Sequence, residues 1–594
     1  MKSTIFRIIG IQLICVLLAV SVYSQKNITI KILETSDVHG AIFPYDFIRN
    51  KPMETSLANA YTYIRQERNN SNQQVILLDN GDILQGQPPV YYSNFIDSLN
   101  PNIVSRVFNF MNYDAASVGN HDIETGPKVY REVEKRFKFP WLAANAINTQ
   151  TGKPAFKPYT IITKGDVKVA ILGLTTPGIP HWLPKILWPD MHFEDMIISA
   201  KYWMKQIQTT EKPSIVVGLF HSGHDATYGG VSADEPSNEN ASLLVAQQVP
   251  GFDVILIGHD HDRFCKKVAN IDGDSVLIMD PTSSARLISQ ATINIKLDKN
   301  GNIESKTIDG QLIDTKEYKP DEEFMAKFAS DYKKVEEFVN RPIGTFTQTI
   351  TSSGAYFGPT AFMDFIHAAQ LELSKADVSF AAPLSFVSTI KEGTVTVSDM
   401  FKLYRFENFL YTISLTGKEI DGFLEHATSV WFNTMNSADD HLIKFKTNAD
   451  GSIVTDKHGK VQLFANFYNF DSAAGIIYTI DVSKPDGDKV TIISMADGSP
   501  FVEDKTYKVA VNSYRGNGGG GHLTKGSNIP SEELPNRIIS STEKDLRYYI
   551  MNYIEQKHVI TPSSYNCWKI IPEDWVKQAA EHDQKLLFSS SNNE

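Results

Sequence analysis

The sequence predicts an α/β fold in two parts, on three observations. Short, nearly uninterrupted apolar runs rich in β-branched residues recur from Ile28 to about Leu297, separated by helical and loop segments. A cluster of polar residues follows five of those runs directly. Near residue 320 an acidic helix start interrupts the pattern, and a different set of signals follows. Such runs suit strands buried on both faces and covered by helices. The 594-residue chain is 42% hydrophobic and 11% aromatic, enough for packed cores, which excludes wholesale disorder. With 57 basic and 69 acidic side chains the net charge is −12. That balance argues against binding polymeric nucleic acid, which needs a basic footprint. It leaves open a small phosphorylated substrate held by metals.

The first 24 residues set the expected compartment. Lys2 and Arg7 precede an apolar stretch from Ile8 to Val20, and Val22 and Ser24 suit a cleavage site. Residues 1–24 therefore read as a secretory signal peptide, and the processed protein as exported, periplasmic or secreted, with no stable membrane insertion. The alternative is an uncleaved anchor, although the apolar stretch is short for a span. Cleavage takes the net charge to −14 and leaves Cys265 and Cys567 of the three cysteines. These two are able to form one disulfide in an oxidising compartment, but nothing in the sequence brings them together.

The runs Ile28–Leu33, Val75–Leu78, Ala115–Val118, Val167–Leu174, Ser214–Phe220 and Val254–Ile257 are the predicted strands of a domain over 25–320. Residues 321–340 follow as a helix with Asp321, Glu322 and Glu323 in its first turn, stopped by Arg341-Pro342. It reads either as a bridge between domains or as an ordinary surface helix. Residues 341–594 again mix helices and strands, as a second domain.

The chemistry lies at five strand ends. In order, the runs lead into Ser36-Asp37-Val38-His39-Gly40, Asp79-Asn80-Gly81-Asp82, Gly119-Asn120-His121-Asp122, His221-Ser222-Gly223-His224 and Gly258-His259-Asp260-His261. Ligands in open α/β sheets sit beyond the carboxyl ends of strands, so the five clusters are expected on one rim. Asp37 and His39 are two residues apart, as are His259 and His261; in extended backbone that spacing points both side chains one way. Glycines 81, 119 and 258 are expected to let the backbone turn sharply. Carboxylate, imidazole and amide make a mixed O/N set suited to Zn, Mn or Fe. Two such ions about 3.5–4 Å apart, with one Asp between them, activate a water for in-line attack on phosphorus.

The order D-x-H, G-D-x-x-x-G (Gly81 to Gly86), G-N-H-D, H and G-H-x-H resembles that of the binuclear metallophosphoesterases. The long second domain narrows the resemblance to the 5′-nucleotidase and 2′,3′-cyclic-nucleotide 2′-phosphodiesterase superfamily. It implies an N-terminal four-layer αββα domain, a linker helix and an α/β 5′-nucleotidase-type C-terminal domain. It also implies two divalent ions (Zn, Mn, Fe or Co), one held by Asp37, His39 and His261, the other by Asn120, His221 and His259, with Asp82 bridging. His121 would be the catalytic histidine, acting on the phosphoryl charge or the leaving oxygen. The 5′-nucleotidase branch usually reads G-N-H-E-x-D; here Asp122 replaces the Glu, and Glu124 stands where the acidic partner of His121 is expected. The motif does not make His224 or Asp260 ligands.

For the substrate, Asn466-Phe467-Tyr468-Asn469-Phe470-Asp471 and Asn512-Ser513-Tyr514-Arg515-Gly516-Asn517-Gly518-Gly519-Gly520 resemble segments of the cyclic phosphodiesterase branch. The resemblance implies that Tyr468 and Tyr514 sandwich a nucleotide base, stacking being tolerant of base identity. Arg515 would reach a phosphate or ribose, or else be solvated at the surface. Residues Ala381-Ala382-Pro383-Leu384-Ser385-Phe386 lack the arginine that the 5′-nucleotidase branch usually carries there, and Leu403-Tyr404-Arg405-Phe406-Glu407-Asn408 also looks closer to the cyclic branch. The resemblance thus favours 2′,3′-cyclic and 3′-nucleotides. A 5′-nucleotidase or UDP-sugar hydrolase is the alternative, followed by a secreted nucleotide-binding protein without activity.

Overall fold

The six apolar runs form the strands Lys26–Thr35, Gln74–Asp79, Ala115–Ser117, Val167–Thr175, Ile215–His221 and Val254–Ile257. They belong to a computed structural model that describes residues 26–228, 231–298, 302–456 and 459–588. The expected signal peptide lies outside the described residues. Among the described residues no helix is long and apolar enough to cross a membrane.

Two six-stranded sheets build the first domain. In one, the order is Ile303–Asp314, Leu287–Leu297, Lys26–Thr35, Gln74–Asp79, Ala115–Ser117 and Trp141–Leu142; the last four run parallel. In the other, Arg263–Ala269, Ser275–Pro281, Val254–Ile257, Ile215–His221, Val167–Thr175 and Tyr159–Lys164 follow one another, with the four central strands parallel.

Side-chain alternation explains why these strands read as unbroken apolar runs. Ile28, Ile30, Ile32, Ile76, Leu78, Val169, Ile171, Val217 and Leu219 point between the sheets into one core. Their neighbours Leu33, Val75 and Leu77 face helices such as Leu57–Asn69 and Ile103–Met111. On the opposite side Ala170, Leu172, Val216 and Phe220 face helices Met196–Thr210 and Ser242–Gln248. Each strand is covered twice, giving the four layers αββα.

The expected helix over 321–340 is two helices, Glu322–Lys327 and Ala329–Val339, parted at Phe328. Asp321 caps the first by accepting from the Phe324 amide at 2.9 Å. Phe324, Phe328, Val335 and Phe338 are buried in a core that continues from the first domain into Phe346, Phe362 and Phe401 of the second. Arg106 grips Asp331 bidentately at 2.6 and 2.7 Å.

The second domain is centred on a five-stranded sheet ordered Ser472–Ala474, Val378–Ala381, Thr506–Asn512, Phe409–Thr416 and Ile538–Asp545. Helices Ala361–Ser374 and Gly417–Trp431 pack on it, the latter through Phe423 stacked 3.9 Å from Phe380. Tyr91 of the first domain donates to Asp545 at 3.2 Å, and the Arg547 guanidinium lies over the rings of Tyr91 and Phe401. Cys265 and Cys567 are both free.

Candidate active site

All five strand-end clusters meet on one rim. The histidines at 39, 259 and 261 and the aspartates at 37 and 82 have left-handed backbone, with φ of 46°, 80°, 57°, 49° and 55° respectively. Non-glycine residues adopt that region only when the surroundings hold them there, and such residues gather at functional sites. This corrects the reading of D-x-H and H-x-H as extended segments: turns, not strand alternation, aim these side chains. The glycines need correction too. Only Gly81 uses a positive φ, 89°; a Cβ on Gly119 would lie 2.1 Å from Asp82 Oδ1, and one on Gly258 2.1 Å from Ser36 Oγ. Two of the three are there for close approach.

Two donor groups result: Asp37, His39 and His261 in one, Asp82, His221 and His259 in the other. In the first, His261 Nε2 lies 3.3 Å from Asp37 Oδ1 and 3.1 Å from His39 Nε2. In the second, His221 Nε2 lies 3.3 Å from Asp82 Oδ2 and 3.1 Å from Asn120 Oδ1. Asp82 Oδ2 is also 4.0 Å from His39 Nε2, so one carboxylate oxygen faces both groups.

The outer partners fix the ring orientations. His39 Nδ1 donates to the Gln85 carbonyl at 3.1 Å and His221 Nδ1 to the Asn80 carbonyl at 2.6 Å, turning each Nε2 inward. Burial, aided by His261, lowers the His39 pKa to about 3; burial, aided by His221, lowers that of His259 to about 4. Both are therefore neutral. Burial also opposes charge on His221, yet Asp82 raises it to about 10, so a proton sits where a cation belongs. Converging imidazole nitrogens and buried carboxylates fit a pair of divalent ions.

His121 stands at the start of the short helix Asn120–Glu124. Its Nδ1 is hydrogen-bonded to the Glu124 carboxylate, and its backbone amide donates to Asp82 Oδ1 at 2.8 Å. Burial opposes its charge, but Asp82 and Glu124 raise its pKa to about 9. Asp122 is wholly buried and accepts backbone amides from Gly119, Asp82, Ile83 and Leu84 at 2.8–3.0 Å. It ties two ligand loops together and leaves the imidazole to Glu124. Asp260 and His224 pair with each other at 2.9 Å beside the donor groups.

Of the substrate residues expected from sequence, Tyr468 and Tyr514 are half-buried beside Tyr228; burial raises both their pKa values, with Tyr228 adding to each and Tyr514 adding to that of Tyr468. Arg515 is neither solvated nor turned toward open space. It is 2% exposed and donates twice to Asp471, to Asn469 Oδ1 at 3.2 Å, and to the carbonyls of Gly519 and Tyr468. A guanidinium with these five bonds is a brace between the two tyrosine loops.

Several residues escaped sequence reasoning. The Trp182 ring lies 5.5 Å from that of His259, and its carbonyl accepts from Asn517 Nδ2 at 3.4 Å, linking a donor histidine to the Gly-rich loop. Tyr228 Oη accepts from Asn466 at 3.1 Å. Glu407, from the second domain, is buried and raised to about 8, first by burial, with Arg547 opposing and Glu124 adding. Trp182 and Tyr228 lie outside the motifs, and Glu407 lies in the 403–408 segment that resembles the cyclic branch, without a role of its own there; only Tyr228, just after His224, adjoins a motif loop in the sequence.

Residues 30–263 match the calcineurin-like phosphoesterase family and residues 342–525 the 5′-nucleotidase C-terminal domain. The trifunctional nucleotide phosphoesterase protein YfkN of Bacillus subtilis is 24% identical over 92% of this chain, which spans only 39% of that protein's length. A 2′,3′-cyclic-nucleotide 2′-phosphodiesterase/3′-nucleotidase of Yersinia enterocolitica is 24% identical, covering 93% of this chain and 90% of its own. The crystal structure of an inferred 5′-nucleotidase from Staphylococcus aureus superposes with a TM-score of 0.74 at 22% identity, over 91% of this chain and 99% of that one, a likeness of fold. With the donor groups on the rim of an αββα domain, residues 30–263 belong to the calcineurin-like phosphoesterases and residues 342–525 are a 5′-nucleotidase C-terminal domain, a combination that marks the chain as a metal-dependent phosphoric ester hydrolase.

Proposed function

We propose that this is an exported phosphoesterase that opens 2′,3′-cyclic nucleotides to 3′-nucleotides and then releases phosphate and nucleoside. The observation that carries the substrate class is the tyrosine group at the domain junction: Tyr468 and Tyr514 beside Tyr228, braced by Arg515 and joined through Asn517 and Trp182 to His259. Aromatic faces at that place suit a base whose phosphate reaches the donor groups. The Yersinia relative supports the cyclic substrate.

In this reading Asp37, His39 and His261 hold one ion, and Asn120, His221 and His259 the other, with Asp82 between them. Bound divalent ions would acidify a water and neutralise charge on the phosphoryl oxygens. The other steps belong to the chain. His121, protonated at neutral pH, gives its proton to the departing ribose oxygen, and Glu124 holds the imidazole for that transfer. Arg515 keeps the tyrosine loops in register. The division into a catalytic domain over 25–320 and a base-binding domain over 341–594 is part of the same proposal.

The test is to give metal-loaded protein 2′,3′-cAMP, 3′-AMP, 5′-AMP and UDP-glucose separately and follow phosphate and nucleoside. Turnover of the first two is expected. Turnover of 5′-AMP or UDP-glucose alone would replace the substrate assignment, and binding with no turnover would make the chain a nucleotide-binding protein.

A further inference from the structure

Away from the catalytic rim, a third group of side chains brings two imidazoles onto one carboxylate. Asp583 lies on the C-terminal helix Glu573–Phe588, and its side chain is fully buried. Its Oδ2 accepts the amides of Leu442 and Ile443 at 2.8 and 3.0 Å, fastening the helix to the segment after Trp431. Its Oδ1 faces His441 Nδ1 at 2.6 Å and His582 Nδ1 at 3.3 Å. The two rings lie 4.9 Å apart, centroid to centroid. Among the described residues, these imidazoles are the only ionic partners of Asp583. A buried carboxylate without a lysine or arginine needs compensation from elsewhere.

We propose that His441, His582 and Asp583 form a third metal site, for a divalent transition ion of the zinc class. Two imidazoles and a carboxylate suit zinc, copper or nickel better than calcium or magnesium. Neighbouring ligand atoms around tetrahedral zinc, with bonds of about 2.0–2.1 Å, stand about 3.3 Å apart. The Asp583–His582 separation already has that value, and it recurs in the catalytic centre between His261 and Asp37 and between His221 and Asp82. The shorter His441 contact is the hydrogen bond that the ion would replace, releasing any proton the ligands hold. Access exists from two sides. The His582 side chain is 61% exposed, and His441 lines a cavity of about 380 Å³ with Asn433, Phe445 and Thr447. Bound there, the ion clamps the last helix to the 433–445 segment and stabilises the second domain by mass action.

His582→Ala tests the site, because it removes one ligand and leaves the amide anchors of Asp583 intact. The full-length protein and the variant are equilibrated with Zn²⁺ and desalted, and zinc per chain is measured by plasma mass spectrometry. The wild type is expected to retain one more equivalent than the variant, and to gain several degrees of melting temperature with Zn²⁺ that the variant does not. Turnover of bis(p-nitrophenyl) phosphate should be equal in the two. Equal zinc content would overturn the site, and this comparison does not depend on how many ions the catalytic centre keeps.

Discussion

Arg515 donates through Nε and Nη2 to a single oxygen of Asp471, at 2.9 and 2.7 Å, in a pair whose side chains are at most 2% exposed. The same guanidinium holds the Tyr468 carbonyl and lies over the Tyr514 ring. Arg515→Lys keeps the charge but loses the fork. It should lower kcat/KM for nucleotides about 10- to 100-fold through KM, the loss of about 1.4–2.7 kcal/mol of pre-organised binding. Turnover of p-nitrophenyl phosphate, which has no base to stack, should change little. Equal loss on both substrates would show that the brace serves the catalytic centre instead.

The two tyrosines are expected to contribute separately. Tyr468→Ala and Tyr514→Ala should each weaken nucleotide binding by about 1–3 kcal/mol, the usual worth of one base–aromatic contact. Steady-state kinetics on 3′-AMP and 3′-UMP would measure it, and an unchanged KM in both variants would remove the clamp.

His121→Ala should lower kcat by about 10²–10⁴-fold, the range for a general acid. Glu124→Gln leaves a hydrogen-bond acceptor for Nδ1 but removes one of the two carboxylates that raise the imidazole pKa. The alkaline limb of the kcat profile should then move to lower pH, because the imidazolium is lost sooner. Metal content of both variants should match the wild type.

His367 predicts an acid sensitivity independent of the metals. It is buried between the hydroxyls of Ser379 and Ser472, at 3.0 and 3.1 Å, and burial lowers its pKa to about 3. The folded pKa lies below the unfolded value, so below about pH 6.5 the unfolded chain takes up a proton that the folded chain refuses. This histidine contributes stability at neutral pH and loses it as pH falls from about 6.5 toward 3, at up to about 1.4 kcal/mol per unit. His367→Gln, compared with the wild type by urea unfolding between pH 7 and 5, should show a flatter dependence.

Much of the site was legible because metal ligands follow strands, and strands buried on both faces read as apolar runs. Type and position picked out the five clusters, and the family resemblance singled out Asp37, His39, Asp82, Asn120, His221, His259 and His261 within them. Their aim was not legible: left-handed backbone at five of them depends on loops packing against one another, as where Gly119 lies against Asp82. Arg515 misled for a similar reason. An arginine in a glycine-rich loop looks available, and only the return of Asp471 from 44 residues away shows what it holds.

The sequence by itself determined the two-part α/β class, the order of the motif clusters and the chemistry of their donors, because these depend on residue type and local periodicity. The tertiary structure decided which donors stand together, that Asp122 binds backbone while Glu124 binds His121, and that Trp182 and Tyr228 meet the second domain. Those are distances between segments far apart in the chain, set by how two sheets and two domains pack, and no local pattern encodes them.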